Sequence, residues 1–239
     1  MFKVVVRNSF WDLYDSLGRM VGASLLWFLP FLSLFLFAVH RAVIPSVLSL
    51  LLLCMASAGL LQFTYISMFG KDPSIEDFLA GVRKGFHRLL GFWGISFLIS
   101  MPVSFSIGFY LRRYESWGIP ALFLSGLGFW ILFFLAMAQI YGLPLILHVG
   151  PCSAIRVASA LVIRHLPYTL LISSFALAVS LLLMLSGLGF PLLEGAFLCS
   201  LFNNALSELL RIYKDDGLPQ RGRHEGRGIG ELIRPWNLP

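Results

Sequence analysis

The sequence predicts an all-α fold: a polytopic membrane helical bundle of six transmembrane helices with amphipathic cytoplasmic elbow helices, arranged as three helix-hairpin repeats. Three observations predict it. The 239 residues are 58% hydrophobic and only 13% charged, where a soluble domain carries about 25% charged residues; the mean hydropathy is +0.82. Several uncharged runs reach about 20 residues, enough for a helix to cross a ~30 Å hydrocarbon core. They are continuous rather than alternating, which excludes barrel strands. The third observation is that charged, patterned stretches stand directly before some of these runs.

The first such stretch is SFWDLYDSLGRM, from Ser9. Ser9 and Asp12 have capping-box spacing, and Phe10, Leu13, Tyr14 and Leu17 form one apolar stripe before Arg19. The first span follows at Val21–Val39 and the second at Val47–Phe69. The first reads as an anchor rather than a cleavable leader, because about 20 residues precede it. The next elbow is DPSIEDFLAGVRKGFHR, from Asp72. Ser74 and Asp77 again suit a capping box, and Ile75, Phe78, Leu79, Val82, Phe86 and Leu89 form its stripe. Acids stand at its start and Arg83, Lys84 and Arg88 at its end, as the helix dipole prefers. It leads into a third span, Leu89–Leu111, with Tyr110, Tyr114 and Trp117 as outer interfacial anchors, and a fourth, Ile119–Leu147. A weaker elbow, PCSAIRVASALVIRH, ends at Arg164 and His165 before spans five and six, Leu166–Leu185 and Leu192–Leu210.

The turning points Arg19, Arg88 and Arg164 lie at comparable intervals, which suggests three copies of one unit: surface helix, outgoing span, outer turn, returning span. SGLGF occurs at Ser125–Phe129 and again at Ser186–Phe190. The second copy reads as an outer turn. By the repeat so does the first, which would start the fourth crossing near Phe129. Residues 1–212 form the six-span domain and residues 213–239 a basic, Gly/Arg-rich cytoplasmic tail.

With both termini inside, 15 of the 18 Lys and Arg fall on the inner side and only Arg41, Arg112 and Arg113 on the outer. The positive-inside rule thus assigns both termini to the cytoplasmic side. The net charge of +6 is an inner-face property that suits anionic lipid headgroups. Arg19, Arg83, Lys84, Arg88 and Arg164 are the candidate headgroup contacts. Nucleic-acid binding is excluded, because no soluble module carries a basic face with stacking aromatics.

The stretches GRMVGASLLWFLPFL, ASAGLLQFTYISMFGKDPSIEDFLAGVRKGFHRLLGFW and AIRVASALVIRHLPYTLL resemble the YesL-like family of small bacterial integral membrane proteins. The resemblance covers approximately residues 8–190. It implies several spans with basic cytoplasmic elbows and an accessory part in carbohydrate uptake, and it supplies no catalytic residues. The chain departs from that family in lacking a Pro-x-x-Thr segment after the first span.

Chemistry-bearing motifs are few. His40, His87, His148, His165 and His224 are isolated, without metal-ligand spacing. GRGIG at 226–230 lacks nucleotide-loop spacing. Cys54, Cys152 and Cys199 read as small apolar fillers. No catalytic, cofactor or metal residues are expected, and the chain is expected not to be an enzyme. Polar residues inside the spans are the remaining candidates. Gln62, Gln139 and Asn203 lie on the three returning spans, about 12–14 Å from the inner end at ~1.5 Å per residue. They are expected to face into the bundle, as interhelical hydrogen bonds or as a polar collar. Asn204, Glu208 and Arg211 share a face and suggest a local ion pair. Glu194 is expected to reach water at the outer end. Pro30 and Pro102 offer possible breaks in spans one and three. In the tail, Leu232, Ile233 and Trp236 are candidate anchors on a protein partner. The expected function is a non-catalytic accessory or assembly subunit of a larger membrane complex; the alternative is a small transporter or transporter component.

Overall fold

The computed structural model describes residues 1–213. The tail beyond them, with the anchors expected at Leu232, Ile233 and Trp236, lies outside the described residues. Every regular element among the described residues is an α-helix: α1 (Phe2–Asp15), α2 (Leu17–Val39), α3 (Val43–Met68), α4 (Ile75–Arg112), α5 (Tyr114–Trp117), α6 (Ile119–Leu145), α7 (Pro151–Arg164), α8 (Leu166–Leu185) and α9 (Gly189–Tyr213).

Five of these, α2, α3, α4, α6 and α8, are long and apolar enough to cross a membrane. Their outer faces carry large apolar side chains in the open, among them Leu29, Phe35, Phe97, Phe105, Phe123 and Trp130. A water-soluble monomer does not sustain apolar exposure on that scale. α9 is as long as the five, 25 residues, but carries Glu194, Ser200, Asn203, Asn204 and Glu208. It touches α1, α2, α3, α6 and α8, and Glu194, Gly195, Ala196 and Phe197 are buried in succession. Glu194, Ser200, Asn203 and Asn204 therefore meet protein rather than the surroundings.

The short helices pack in a regular way. α1 lies against α9, the N-terminal part of α4 against α3, and α7 against α6. The α3–α4 contact depends on small residues. A Cβ on Gly81 would stand 2.5 Å from Gln62 Cβ and 2.9 Å from the Ala58 carbonyl, and one on Gly85 would stand 3.1 Å from Ala58 Cβ. Gly81 and Gly85, one turn apart, thus let two backbones approach closely in the small-xxx-small manner of membrane helices.

Four expectations need correction. Ser9 and Asp12 do not cap a helix: α1 begins at Phe2 and both residues lie in its interior. The same spacing at Ser74 does form a capping box, with Asp77 N–H donating to Ser74 Oγ at 3.3 Å and Ser74 N–H donating to Asp77 Oδ2 at 2.9 Å. The difference is what precedes each pair, Pro73 and a turn in one case and helix-compatible residues in the other. Next, the elbow at residues 74–87 is not a separate helix. α4 runs uninterrupted for 38 residues, about 57 Å at 1.5 Å per residue, because no proline separates its amphipathic and apolar parts. That exceeds the ~30 Å hydrocarbon core, so its charged N-terminal turns project beyond it. α1 and α7 do break from the helices that follow them, at Ser16 (φ −123°, ψ 25°) and His165 (φ −123°, ψ 38°). At the second break Pro167 cannot donate to a continuing helix.

The first SGLGF copy is likewise not a turn. Ser125–Phe129 lies within α6, where Ser125 and Gly128 are buried and a Cβ on Gly128 would stand 2.6 Å from Ile107 Cγ1. The second copy is a turn, with Gly187 at φ 69°. Finally, Pro30 and Pro102 sit inside α2 and α4 without interrupting them. Ser33 Oγ donates to the Pro30 carbonyl at 2.9 Å and Ser106 Oγ to the Pro102 carbonyl at 2.9 Å.

Candidate functional site

The densest group of buried polar side chains lies between α1, α9 and α3. On α9, Ser200, Asn203, Asn204 and Ser207 stand at i, i+3, i+4 and i+7, so they share one side of the helix. Asn204 Nδ2 donates to Asp12 Oδ2 at 2.8 Å and lies 3.1 Å from Ser9 Oγ and 3.2 Å from Ser200 Oγ. Ser200 Oγ donates to the same carboxylate oxygen at 3.2 Å. Ser9 Oγ donates back to the Val5 carbonyl at 2.9 Å. Asp12 is 1% exposed. A carboxylate withdrawn from water is tolerable only where donors replace its hydration, and two α9 side chains supply them here.

Asn203 ties α9 to α3. Its Nδ2 donates to Thr64 Oγ1 at 2.8 Å and to the Leu61 carbonyl at 3.1 Å, while Thr64 Oγ1 donates to the Leu60 carbonyl at 3.0 Å. Asn203 Oδ1 is buried without a partner. Similar single bonds join other helices: Trp27 Nε1–H to Ser57 Oγ at 2.9 Å, Gln139 Nε2–H to Ser96 Oγ at 3.1 Å, and the Tyr141 and Thr169 hydroxyls at 2.8 Å. Such bonds are each worth about 0.6 kcal/mol in membrane bundles.

The three expected amides thus occupy different contacts. Asn203 is enclosed between α9 and α3, Gln139 is half-buried between α6 and α4, and half-buried Gln62 brings its Cβ against Gly81. They do not gather into one collar. Glu208 pairs with Arg211, Nη1 to Oε1 at 3.3 Å, but Asn204 does not join them; it belongs to the Asp12 group. Glu194 does not reach water. It is 3% exposed, with Oε1 accepting from Ser180 Oγ of α8 and Oε2 buried without a partner.

The basic residues gather where the helix ends meet. Exposed Arg19 pairs with exposed Asp72 at 3.3 Å. Arg88 Nη1 donates to the Leu147 and Ile146 carbonyls at 3.2 and 3.4 Å, satisfying acceptors that the end of α6 leaves open. Arg83 and Lys84 line a shallow open groove with Glu76, Leu79 and Ala80. Arg164 is exposed. His148 follows α6, its ring 5.1 Å from that of Tyr65. Loss of hydration, then the positive charge of Arg88, push its pKa below the ordinary 6.5.

Among the described residues, no three His, Cys, Asp or Glu side chains cluster closely enough to hold a metal ion. Cys54 is buried, Cys199 partly so, and Cys152 exposed; Cys152 is therefore no core filler. The chain matches no protein-family model, curated protein or solved structure in the comparisons made.

Sequence reasoning missed Ser9, Asp12, Ser200 and Thr64 as a group. A signal was present. On α1 the face opposite the apolar stripe carries Asn8, Ser9 and Asp12, short polar side chains that cannot extend past a neighbouring helix to water. A short polar face suits a polar partner helix, and α9 was the span with such a face.

Proposed function

We propose that this chain crosses a bacterial inner membrane six times, with both termini cytoplasmic, and serves as a non-catalytic accessory or assembly subunit of a larger membrane complex. The sixth crossing is α9, whose 25 residues span about 37 Å and whose Glu194, Ser200, Asn203 and Asn204 are covered by neighbouring helices. The three-unit repeat gains support from α1, the start of α4 and α7, each of which lies on the last helix of another unit. The matched breaks at Ser16 and His165 add to it. Orientation rests on the 15 inner and 3 outer basic residues. Arg19, Arg83, Lys84 and Arg164 would then meet anionic headgroups, while Arg88 is directed at backbone carbonyls.

The observation that carries the subunit reading is on α2. Gly18 and Gly22 repeat the spacing of Gly81 and Gly85, yet a Cβ on either would meet nothing within 4 Å. Leu25, Leu26 and Leu29 continue that exposed stripe. A close-approach surface that α3 fills on α4 is open on α2, where a helix of another chain can seat. Mild-detergent purification followed by mass spectrometry tests this. A defined partner should co-purify with the wild type and be lost with Gly22→Leu, while insertion is unchanged. Recovery of only the free chain in both cases contradicts the reading.

A second reading, a transporter component, draws on the buried carboxyls Asp12 and Glu194, since ionisable groups inside membrane bundles commonly serve solute or proton paths. The resemblance to the YesL-like family points to carbohydrate. Solute uptake by liposomes containing the purified chain alone, abolished by Asp12→Asn, would favour it.

A further inference from the structure

Glu194 stands apart from the polar groups that tie the bundle together. One carboxyl oxygen accepts a hydrogen bond from Ser180 and the other is enclosed without a donor. Its surroundings are apolar or neutral. Phe190, one turn earlier on α9, packs edge-on against Phe28 and beside Phe31 of α2, with ring centroids 5.9 and 5.6 Å away. A Cβ on adjacent Gly195 would touch Trp27 and Leu60 at 3.0 Å. The Ala196 N–H is already directed at Ser24 Oγ, 3.0 Å away.

Among the described residues, no countercharge is in reach. Of the helices packed on α9, α3, α6 and α8 contain no Asp, Glu, Lys or Arg, and α2 contains only Arg19, which pairs with Asp72 at the far end of its helix. Lys3, Arg7, Asp12 and Asp15 belong to α1, whose Asp12 meets α9 at Ser200 and Asn204, six to ten residues or about 9–15 Å along the helix axis from Glu194. Tyr141 and Tyr168 lie toward that end of α9 as well, and Tyr14, Cys54, Tyr65, Cys199, Glu208 and Arg211 are further titratable groups of these helices. His40 and Arg41, in the α2–α3 turn, are exposed, and Arg19–Asp72 and Glu208–Arg211 pair with each other away from Glu194. An ionised carboxylate here would have lost its water and gained a single neutral donor in exchange. That balance favours the neutral acid.

We propose that Glu194 is a proton-binding site: its carboxyl holds one proton at neutral pH within the α2–α8–α9 interface. The ligand is a proton rather than a metal cation, because one serine hydroxyl and one carboxyl are too few oxygen ligands for a sodium-sized or divalent ion.

Infrared spectroscopy of the full-length purified protein tests this in wild type and Glu194→Gln. The expected result is a carboxylic-acid carbonyl band at neutral and mildly alkaline pH that shifts in heavy water and is lost in the variant. Superimposable spectra overturn the proposal. Should the variant not fold, dicyclohexylcarbodiimide on the wild type decides. The acid adds across one C=N bond, its proton going to nitrogen and its oxygen to carbon, and acyl migration then leaves a stable N-acylurea. That chemistry needs the protonated carboxyl. An adduct mapped to Glu194 supports the proposal, and a Glu194 left unmodified overturns it. Protection of Glu194 by sodium ions assigns the site to a metal cation and also overturns it.

Discussion

Asp12 shows how one side chain fixes the position of a whole helix. Its carboxylate receives hydrogen bonds from Asn204 and Ser200, so α1 can dock on α9 in only one register. Asp12→Ala removes the acceptor and strands buried donors, at a cost of about 1–3 kcal/mol. Thermal unfolding in detergent should register that loss, and Asp12→Asn, which keeps an acceptor oxygen, should recover part of it. Equal stability of Asp12→Ala and wild type would contradict the role. His148 gives a pH dependence. Its folded pKa lies below the ordinary 6.5, so on acidification the unfolded chain takes up the proton first. The stabilising contribution is present above 6.5 and is lost as pH falls through the folded value. Because His148 is exposed, screening keeps the effect shallow. Melting temperature should fall on mild acidification, and His148→Gln should flatten the fall.

Helix boundaries record a contest between local pattern and tertiary contact. Ser74–Asp77 capped a helix as its sequence suggests, whereas Ser9–Asp12, with the same spacing, turned inward to bind α9. Of the stripe, Phe10, Tyr14 and Leu17 are exposed and Leu13 is partly buried, while Asn8, Ser9 and Asp12 are buried beside Val5 and Trp11. In a membrane the usual inference from apolar to inside reverses, because lipid is the solvent for the apolar stripe. The two SGLGF copies differ for a related reason. Nothing in five residues reveals that Gly128 faces Ile107. Close packing at glycine gives a direct test. Gly81→Ala must push α4 from α3 and should cost about 1–3 kcal/mol by overpacking. Gly94→Ala, in the same helix with nothing within 4 Å of the new methyl, should be neutral or gain up to about 1 kcal/mol from helix propensity. Similar unfolding midpoints for the two variants would rule out the close α3–α4 approach.

At the scale of the molecule, the class of fold was plain from composition, since 13% charge in 239 residues leaves a bilayer as the compatible solvent. Five helices long and apolar enough to cross it follow from the same signal. α9 was visible as an apolar run with Asn203 and Asn204 in it, but their partners lie on α1 and α3, more than a hundred residues away in sequence. No local pattern encodes such a pairing. Glu194 was misread for the same reason: proximity to a helix end suggested water, and Ser180 with the aromatic side chains of α2 excludes it. The account depends most on α9 being a sixth crossing. Its two ends offer exposed positions for single cysteines, Leu188 in the α8–α9 turn and Ile212 in the last turn of α9. Each is introduced after the native Cys54, Cys152 and Cys199 are replaced, and intact cells are treated with a membrane-impermeant maleimide. Leu188→Cys should label from outside, and Ile212→Cys only after the membrane is permeabilised. Labelling of both positions from the same side would contradict the sixth crossing.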